Sequence, residues 1–406
     1  MEFNEKLLKT QYFPQALTKI KEIVKIKSYL QPATSSAPYG PGIEAVLTYA
    51  INLAQELGFK TYRDQNNKYG YVEYGAGQEI FAILGHLDVV PPGNYEEWKV
   101  PPFAPEIINN ILYGRGVLDD KGPTIIILYC LKYLKDHGYQ PNRRIRVIFG
   151  LTEETTWDSI NTYMQQEGTP TFGFTPDGMF PLVYAEKGII NLDIIGLGHD
   201  SIIINAGDAY NVTCATSTIS GIDIPSFVNI GKTNNYRIEN NQQQITIHGK
   251  PAHGSRPEEG INAGLRSLLI LSQLNIKHNL VKFVAEILQE DTTLTPYFGD
   301  LTDESGNFTI NVGIVEMNNK SSKLGCNIRI PVKTKLSEVL TRLTKLLKPY
   351  NLTIKQQHYD KPLYMPQNST IVTKLMTTYQ EVTGDSNAKP IAIGGVVLMP
   401  ELCLIV

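Results

Sequence analysis

The sequence predicts an α/β fold in which helices flank a mixed sheet, with an inserted α+β domain. Three observations support this prediction. A chain of 406 residues exceeds the size at which one hydrophobic core is usual, so two domains are expected. The first part of the chain alternates helical and strand patterns, which indicates a sheet covered by helices. The middle part is dominated by short strands, and the last part returns to a helix.

In the first part, apolar residues at helical spacing predict three helices, and short apolar runs predict the strands between them. The predicted helices are Pro14–Tyr29, Gly42–Leu57 and Pro123–Lys135. The predicted strands are Tyr69–Tyr74, Ile80–Leu84, Arg143–Leu151 and Phe172–Phe174.

The pattern changes after about Gly188. Alternating residues predict strands at Gln242–His248 and within Phe308–Pro331, and helical spacing predicts helices at Gly260–Leu274 and Leu336–Leu347. We therefore predict a main domain that begins at 1–187, an insertion at 188–361, and a return to the main domain at 362–406. The return contains a predicted helix, Ser369–Thr383, and a final strand.

Composition and charge exclude several classes of partner. The chain is 42% hydrophobic and 19% charged, with a net charge of −3, so nothing favours nucleic acid or an acidic membrane as a partner. The N-terminus has no apolar core of a secretory signal, and the longest apolar run, Ile125–Cys130, is far too short to cross a bilayer. The four cysteines are widely spaced, which favours a reducing compartment and hence the cytoplasm.

Two polar clusters lie near the predicted strand Ile80–Leu84 and the predicted helix that begins at Pro123. In GHLD, residues 85–88, an extended chain places alternate side chains on one side, so Asp88 could orient a metal-binding His86. In GRGVLDDKGP, Asp119 could bridge two metal ions. The alternatives are a histidine in a turn bonded to an aspartate, and an aspartate that caps a helix.

Two further clusters follow predicted strands. Glu153 and Glu154 end the strand Arg143–Leu151, where one carboxylate could bind a metal while the other moves a proton. Asp177 follows the strand Phe172–Phe174, although Asp-Gly is more often only a turn. Ligands of open α/β sheets bind beyond the carboxyl ends of the strands. The four clusters together therefore predict a site of nitrogen and oxygen ligands, a set that suits zinc.

The order and wording of these clusters resemble the M20 metallopeptidase family, which includes ArgE/DapE-type deacylases and carnosinases, and most of all the PepV-type bacterial dipeptidases. The motifs that carry the resemblance are GHLDVVPPG, GRGVLDDKGP, the Glu-Glu pair and PDG. The resemblance spans nearly the whole chain. It implies a zinc-peptidase-like catalytic domain with the insertion as a lid domain, and favours a monomer.

Roles follow from the resemblance residue by residue. It implies that one zinc binds His86, Asp119 and Asp177, and that Asp119 bridges to a second zinc held by Glu154. It also implies that Glu153 is the general base, that Asp88 orients His86, and that the peptide bond after Asp119 is cis.

Three residues of the insertion match family positions that contact substrate. His253, in KPAHGSRPEEGINA, would polarise the scissile carbonyl. Asn211, in YNVT, and Arg329, in CNIRIP, match positions that hold substrate in PepV-type enzymes.

The sequence departs from the family pattern in its last part. In the family, the second zinc takes a histidine beyond a glycine-rich segment; here that segment reads IGGVVLMP at 393–400, and no histidine follows His358. We therefore expect one firm zinc site and a weaker second one, with low activity unless another group completes it. Manganese or cobalt could replace zinc.

The leading hypothesis is zinc-dependent hydrolysis of dipeptides, with a small peptide as the substrate and no nucleic acid or membrane as a partner. One alternative is an N-acyl-amino-acid deacylase of the same fold. Another is a catalytically impaired homologue that binds peptide or metal without turnover, which the missing histidine favours.

Overall fold

A computed structural model of the protein describes residues 4–241, 243–395 and 404–405. The chain forms two compact units. The first contains the described residues of Met1–Leu182 together with Leu404 and Ile405, and the second contains those of Val183–Val396.

The first unit contains five helices around a mixed sheet. The helices are α1 (Glu5–Leu7), α2 (Phe13–Val24), α3 (Pro41–Glu56), α4 (Lys121–Asp136) and α5 (Asp158–Glu167), with a π-helical turn at Leu8–Tyr12. Apolar residues recur on one face of the longer helices, and these faces bury side chains such as Ile23, Val46 and Leu128 against the sheet residue Phe149.

The strands of the first unit are short and apolar. They are β1 (Lys60–Arg63), β2 (Gly70–Tyr74), β3 (Ile80–His86), β4 (Glu106–Ile108), β5 (Ile111–Tyr113), β6 (Arg144–Gly150) and β7 (Phe172–Phe174). The main sheet has the order β1-β2-β6-β3-β7, and β4 and β5 form a separate hairpin. Strands β6, β3 and β7 are mutually parallel neighbours, so their carboxyl ends meet at one edge of the sheet.

The second unit is built on a large antiparallel sheet. Its strands are β8 (Val183–Glu186), β9 (Gly188–Leu197), β10 (Ile203–Ala206), β11 (Thr216–Ser220), β12 (Arg237–Asn240), β13 (Gln244–His248), β14 (Thr302–Asp303), β15 (Gly306–Asn307), β16 (Thr309–Met317), β17 (Ser321–Ile330), β18 (Thr353–Asp360), β19 (Leu363–Tyr364) and β20 (Ile391–Ile393). Eight of them pair in the order β12-β13-β11-β10-β16-β17-β9-β18. A smaller sheet has the order β19-β8-β20.

The second unit also contains helices. They are α6 (Ile224–Thr233), α7 (Ala263–Gln273), α8 (Asn279–Phe283), α9 (Thr295–Phe298), α10 (Leu336–Leu347) and α11 (Thr370–Thr383). Residues of α6, α7, α8 and α10, such as Phe227, Leu268 and Leu343, share one buried core with Ile194 and Ile328 of the sheet. A last strand, β21 (Leu404–Ile405), pairs parallel with β7 of the first unit.

These elements confirm the predicted fold class: an α/β mixed sheet with helices and a separate antiparallel-sheet domain. The predicted helices and strands agree with the structure to within a few residues, and α10 agrees at both ends. The compact units divide at 182/183 and 396/397, so α11, which we expected in the return segment, falls in the second unit. The functional division at 187/188 and 361/362 stays a prediction. Among the described residues, no helix is both long and apolar enough to span a membrane.

Candidate metal centre

The predicted site residues of the first unit lie at the carboxyl edge of its parallel strands. His86 is the last residue of β3, and Glu153 and Glu154 follow the end of β6 by three and four residues. Asp177 follows the end of β7 by three residues. The edge of the sheet therefore brings together side chains that are far apart in the sequence.

The loop before α4 packs closely against β3. A Cβ atom on Gly85 would lie 2.1 Å from Thr124 Oγ1 and 3.0 Å from Asp120 Oδ2, so only glycine allows this approach. Asp120 Oδ2 accepts hydrogen bonds from the backbone N–H of His86 and from Thr124 Oγ1, both at 3.1 Å. The Asp119–Asp120 peptide bond is cis, as the family resemblance implies. These contacts place Asp119 beside the end of β3.

The His86 imidazole is buried and surrounded by acceptors. Its Nδ1 lies 3.0 Å from the backbone oxygen of Asp88, and because that oxygen can only accept, Nδ1 carries the hydrogen. Its Nε2 lies 2.9 Å from Asp119 Oδ1, 3.4 Å from Asp177 Oδ2 and 3.9 Å from Glu153 Oε2. Nε2 therefore faces three carboxylates. Burial lowers the pKa of His86, but hydrogen bonds with Asp119, Asp177 and Asp88 outweigh burial and raise the pKa well above its usual value.

The Asp88 carboxylate accepts hydrogen bonds from the backbone of both glutamates. Its Oδ1 accepts the backbone N–H of Glu153 and its Oδ2 accepts that of Glu154, both at 3.1 Å. Asp88 Oδ1 is also 3.5 Å from His86 Nδ1. The role of Asp88 in orienting His86 stays a prediction, and the structure adds a direct link from its carboxylate to the turn that carries both glutamates.

The turn at Glu153 and Glu154 is also fixed from its other side. The backbone N–H of Ser159 donates to Thr152 Oγ1 at 3.0 Å, and the Leu151 N–H donates to Ser159 Oγ at 3.1 Å. Trp157 has a φ of 59°, a left-handed conformation that is uncommon for a bulky residue, and its N–H donates to the Thr152 carbonyl at 2.8 Å. The hydrogen bonds hold both ends of a short, tight loop.

Two overlapping groups of side chains could hold metal ions. His86, Glu153 and Asp177 form one group, and His86, Asp119 and Glu154 form the other, with the ligand atoms of each group within 4.8 Å of one another. Among the described residues, His86 Nε2 is a buried atom without a hydrogen bond of acceptable geometry. An imidazole nitrogen together with carboxylates is the donor set of a divalent cation, which would replace the proton on Nε2, so the residues fit such an ion.

The electrostatics of the site also favour a cation. Burial and, to a smaller extent, neighbouring carboxylates outweigh the effect of His86 and raise the pKa of Glu153 to about 8 and that of Glu154 to about 7. Burial likewise raises the pKa of Asp177. Crowded carboxylates hold protons because their negative charges repel one another. A divalent cation among them removes that repulsion.

The three predicted substrate-contact residues lie together within the second unit. His253 forms a β-bridge with Val212, the neighbour of Asn211. The N–H of Gly254 donates to the Asn211 carbonyl at 2.7 Å. Burial lowers the pKa of His253, and the nearby Arg329 guanidinium lowers it further. Their roles stay predictions, and their proximity is a property of the structure.

Sequence reasoning gave no role to several residues around these sites. Asp120 accepts hydrogen bonds from the His86 backbone and from Thr124, and Asn327 accepts one from Arg329. The paired aspartates were a visible signal for Asp120, whereas nothing local marks Asn327. Within the glycine-rich segment at 393–400, residues 396–400 lie outside the described residues, and so the expectation built on that segment stays a prediction.

Together, the mixed α/β sheet and the carboxylates gathered around an imidazole at its edge define a metallohydrolase. The model of peptidase family M20/M25/M40 matches residues 82–399. The chain belongs to this family of metallopeptidases.

Named relatives and solved structures agree with that assignment. A Staphylococcus aureus (strain bovine RF122 / ET3-1) protein named "Putative dipeptidase SAB1611c" is 32% identical over 414 aligned positions, covering 95% of this chain and 87% of the relative. Human carnosine dipeptidase 1 has a similar structure, with a TM-score of 0.56 at 14% identity, covering 98% of this chain and 91% of that chain. The M20 family metallo-carboxypeptidase Sso-CP2 from Sulfolobus solfataricus has a TM-score of 0.55 at 18% identity, with coverages of 96% and 90%.

Proposed function

We propose that this protein hydrolyses dipeptides at a zinc centre in its first unit. The observation that carries the proposal is the set of carboxylates around His86 Nε2, in which Glu153 and Asp177 share one ligand group. The names of the most similar relatives support a dipeptide as the substrate.

The ligands divide unequally between two ions. We assign His86, Asp177 and Asp119 to the first zinc, and Asp119 and Glu154 to the second. Three protein ligands are usual for a catalytic zinc, and within the described residues only the first ion reaches that number by this assignment. The first site is therefore the firm one and the second is weaker. Manganese and cobalt also accept such nitrogen and oxygen ligands.

Glu153 is the proposed general base and then the general acid. When bound, a divalent cation polarises the scissile carbonyl and makes a water molecule more acidic. Glu153 takes a proton from that water as the water oxygen attacks the carbonyl carbon. The C–N bond then breaks, and Glu153 returns the proton to the leaving amine, so atoms and charge balance. Asp88 supports this transfer because it holds the backbone of Glu153 and Glu154 in place.

Substrate recognition is assigned to the second unit. His253 would donate a hydrogen bond to the carbonyl oxygen, and Asn211 and Arg329 would hold the rest of the dipeptide. Arg329 is 3% exposed, and burial lowers its pKa to about 10, which leaves it positively charged at neutral pH. A permanent cation suits the terminal carboxylate of a dipeptide.

We further propose that the protein is a cytoplasmic monomer. Cys130, Cys214 and Cys326 are free thiols in the described part of the chain, which agrees with a reducing compartment.

The experiment that tests the function compares substrates, metals and one substitution. Purified protein is assayed with dipeptides and with N-acetyl and N-succinyl amino acids, each with added zinc, manganese or cobalt. The variant Glu153→Gln keeps the shape of the side chain but cannot accept the proton. We expect dipeptides to be cleaved preferentially, and Glu153→Gln to lower kcat by about 100-fold to 10,000-fold with its metal content unchanged.

Each alternative predicts a different outcome. Preferential cleavage of N-acyl amino acids would make the protein a deacylase of the same fold. Peptide binding without turnover at any metal concentration would make it an impaired homologue. Full activity in Glu153→Gln would show that another residue moves the proton.

A further inference from the structure

Three asparagines form a row across neighbouring strands of the second unit. Asn327 of β17 is the direct cross-strand partner of Asn191 on β9 and of Asn311 on β16. Side chains that are directly opposite one another in an antiparallel sheet point to the same face. We call Asn191, Asn327 and Asn311 the asparagine row.

Asn327 connects this row to Arg329. The Nε–H of Arg329 donates to Asn327 Oδ1 at 2.9 Å, and Asn327 Nδ2 donates to Asn191 Oδ1 at 2.7 Å. The acceptor contact with Arg329 fixes which end of the Asn327 amide is oxygen, and the contact with Asn191 holds the opposite end. A second guanidinium nitrogen of Arg329 donates to the Gly394 carbonyl at 2.9 Å.

The partners of Arg329 are all neutral. Within the described ranges, no carboxylate forms an ion pair with its guanidinium, although Arg329 is 3% exposed and Asn327 is 1% exposed. The carboxylate of Asp360 acts on Arg329 without forming an ion pair and raises its pKa against the larger effect of burial. Lys187 is a second buried cation. Burial lowers its pKa, Asp303 and Glu258 act in the opposite direction, and Arg329 lowers it further. Buried charge without a counter-charge is costly. Its presence here indicates that an anion binds.

The row also holds the segment that contains Asn211. Asn311 Nδ2 donates to the Tyr210 carbonyl at 2.7 Å, and Asn311 Oδ1 accepts from Thr213 Oγ1 at 2.8 Å. A Cβ atom on Gly254 would lie 2.8 Å from Asn327 Oδ1, so the segment after His253 packs directly on the Asn327 amide.

We propose that Asn327, held by Asn191, is a positioning residue that fixes the Arg329 guanidinium without forming an ion pair with it, so that the guanidinium can pair with the carboxylate of the substrate. This inference rests on the proposed function, because it takes the anion to be the dipeptide carboxylate. A carboxylate at position 327 would hold the guanidinium equally well but would neutralise it. The amide is therefore the group that combines orientation with retained charge.

The test replaces Asn327 by aspartate, which has the same shape and keeps an acceptor for Arg329. Steady-state kinetics are measured with a free dipeptide. We expect Asn327→Asp to raise KM by about 30-fold, the loss of one charge-assisted contact, and to change kcat by less than about 3-fold. A merely structural role would lower kcat and thermal stability together.

Binding without turnover gives a second readout. In the Glu153→Gln background, calorimetry measures the Kd of the free dipeptide and of its amide, which lacks the carboxylate. We expect Asn327→Asp to raise the Kd of the free dipeptide by about 30-fold and the Kd of the amide by less than about 3-fold. Asn191→Ala removes only the acceptor that holds the Asn327 amide. It should therefore also raise the Kd of the free dipeptide, by about 3-fold to 5-fold. That variant keeps the test decisive if Asn327→Asp does not fold.

Asn205→Asp is the matched control, because Asn205 is an exposed asparagine on β10 of the same sheet. It should leave KM and kcat unchanged. If Asn327→Asp raised the Kd of the free dipeptide and of its amide equally, or lowered kcat at constant KM, the inference would be overturned while the proposed function stands. A wild-type protein that neither cleaves nor binds dipeptides would overturn the proposed function and this inference with it.

Discussion

The candidate metal centre of the first unit and the surroundings of Arg329 in the second unit carry opposite kinds of charge. The first unit gathers the carboxylates of Asp119, Glu153 and Asp177 around one imidazole, with no cationic side chain among the ligand groups in the described residues. The second unit buries Arg329 among neutral amide and carbonyl groups. By the proposals above, a cation would neutralise the negative charge of the first region, and the carboxylate of the substrate would pair with Arg329 in the second.

The difference shows how two ligands of opposite charge can be held by one chain. Each region contains neutral partners that orient a charged or titratable group without adding a charge. In the first unit these partners are backbone groups, such as the Asp88 carbonyl beside His86. In the second unit they are the asparagine row. A substitution that alters the charge of one region should therefore leave the other intact.

The largest expected effect comes from removing His86, which belongs to both ligand groups. His86→Gln should abolish tight metal binding at the first zinc site, to which His86 is assigned, and lower kcat/KM by about 1000-fold or more, since the chemistry depends on the cation. Metal content after dialysis, measured by mass spectrometry, and dipeptide hydrolysis are the readouts. His358→Gln is the control, because His358 is exposed on β18 and paired with Asp360. Wild-type metal content in His86→Gln would contradict the ligand assignment.

A smaller effect is expected from Asp88→Asn, the reverse of the exchange proposed at Asn327. The amide keeps one acceptor but cannot accept both the Glu153 and Glu154 N–H groups. Losing one hydrogen bond to a charged group costs about 1.5–3 kcal/mol, so kcat should fall by about 10-fold to 100-fold. Metal content should remain, because the Asp88 backbone still accepts from His86. Loss of metal together with kcat would show that the carboxylate mainly orients the imidazole.

Asp64→Asn is the matched control for that experiment. Asp64 is 3% exposed, and its Oδ2 also accepts two backbone N–H groups, from Asn66 and Lys68, at 3.0 and 3.1 Å. It belongs to a turn and to neither ligand group. The substitution should lower stability by a similar amount and leave kcat unchanged. A comparable fall in kcat would mean that any loosening of the first unit impairs catalysis.

Much of the fold follows from local patterns in the sequence. The predicted helices at α3, α4 and α10 match because each has a continuous apolar face at helical spacing. Helix α6 and the hairpin of β4 and β5 were not predicted. The hairpin exposes Ile107 and Ile111 at 44% and 55%, so it lacks the alternation that marks a half-buried strand. Its formation depends on its Asn-Asn turn, where both residues have positive φ.

The candidate site likewise contains some features that the sequence predicts and others that it does not. The convergence of His86, Glu153 and Asp177 was predictable, because the carboxyl ends of parallel strands meet at one edge. The contacts of Asp88 and the asparagine row were not. The Asp88 contacts join residues 65 and 66 positions apart in the sequence. The asparagine row depends on the pairing of β17 with β9 and with β16, and β9 and β17 are separated by more than 100 residues. No local pattern reports which residues become opposite one another across such a distance.

The smallest expected effect is a pH dependence of stability that exists only in the metal-free first unit. The pKa values of Glu153 and Glu154, about 8 and 7 in the folded protein, lie above their usual value of 4.5. The folded state therefore binds these protons more tightly than the unfolded state does. Folding stability is then fully present at low pH and falls as pH rises from about 4.5 to about 8. Because solvent near the site screens the charges, the loss should be on the order of 2 kcal/mol.

Thermal unfolding in the presence of a chelator, followed between pH 5 and 8, measures this loss. Glu153→Gln should flatten the curve, since the glutamine does not titrate, and saturating zinc should flatten it in the wild type by neutralising the carboxylates. Asn327→Asp should leave the slope unchanged, because the charge that it alters belongs to the second unit. A slope that persists in Glu153→Gln and in the zinc-bound wild type would show that the pH dependence arises outside the carboxylate cluster.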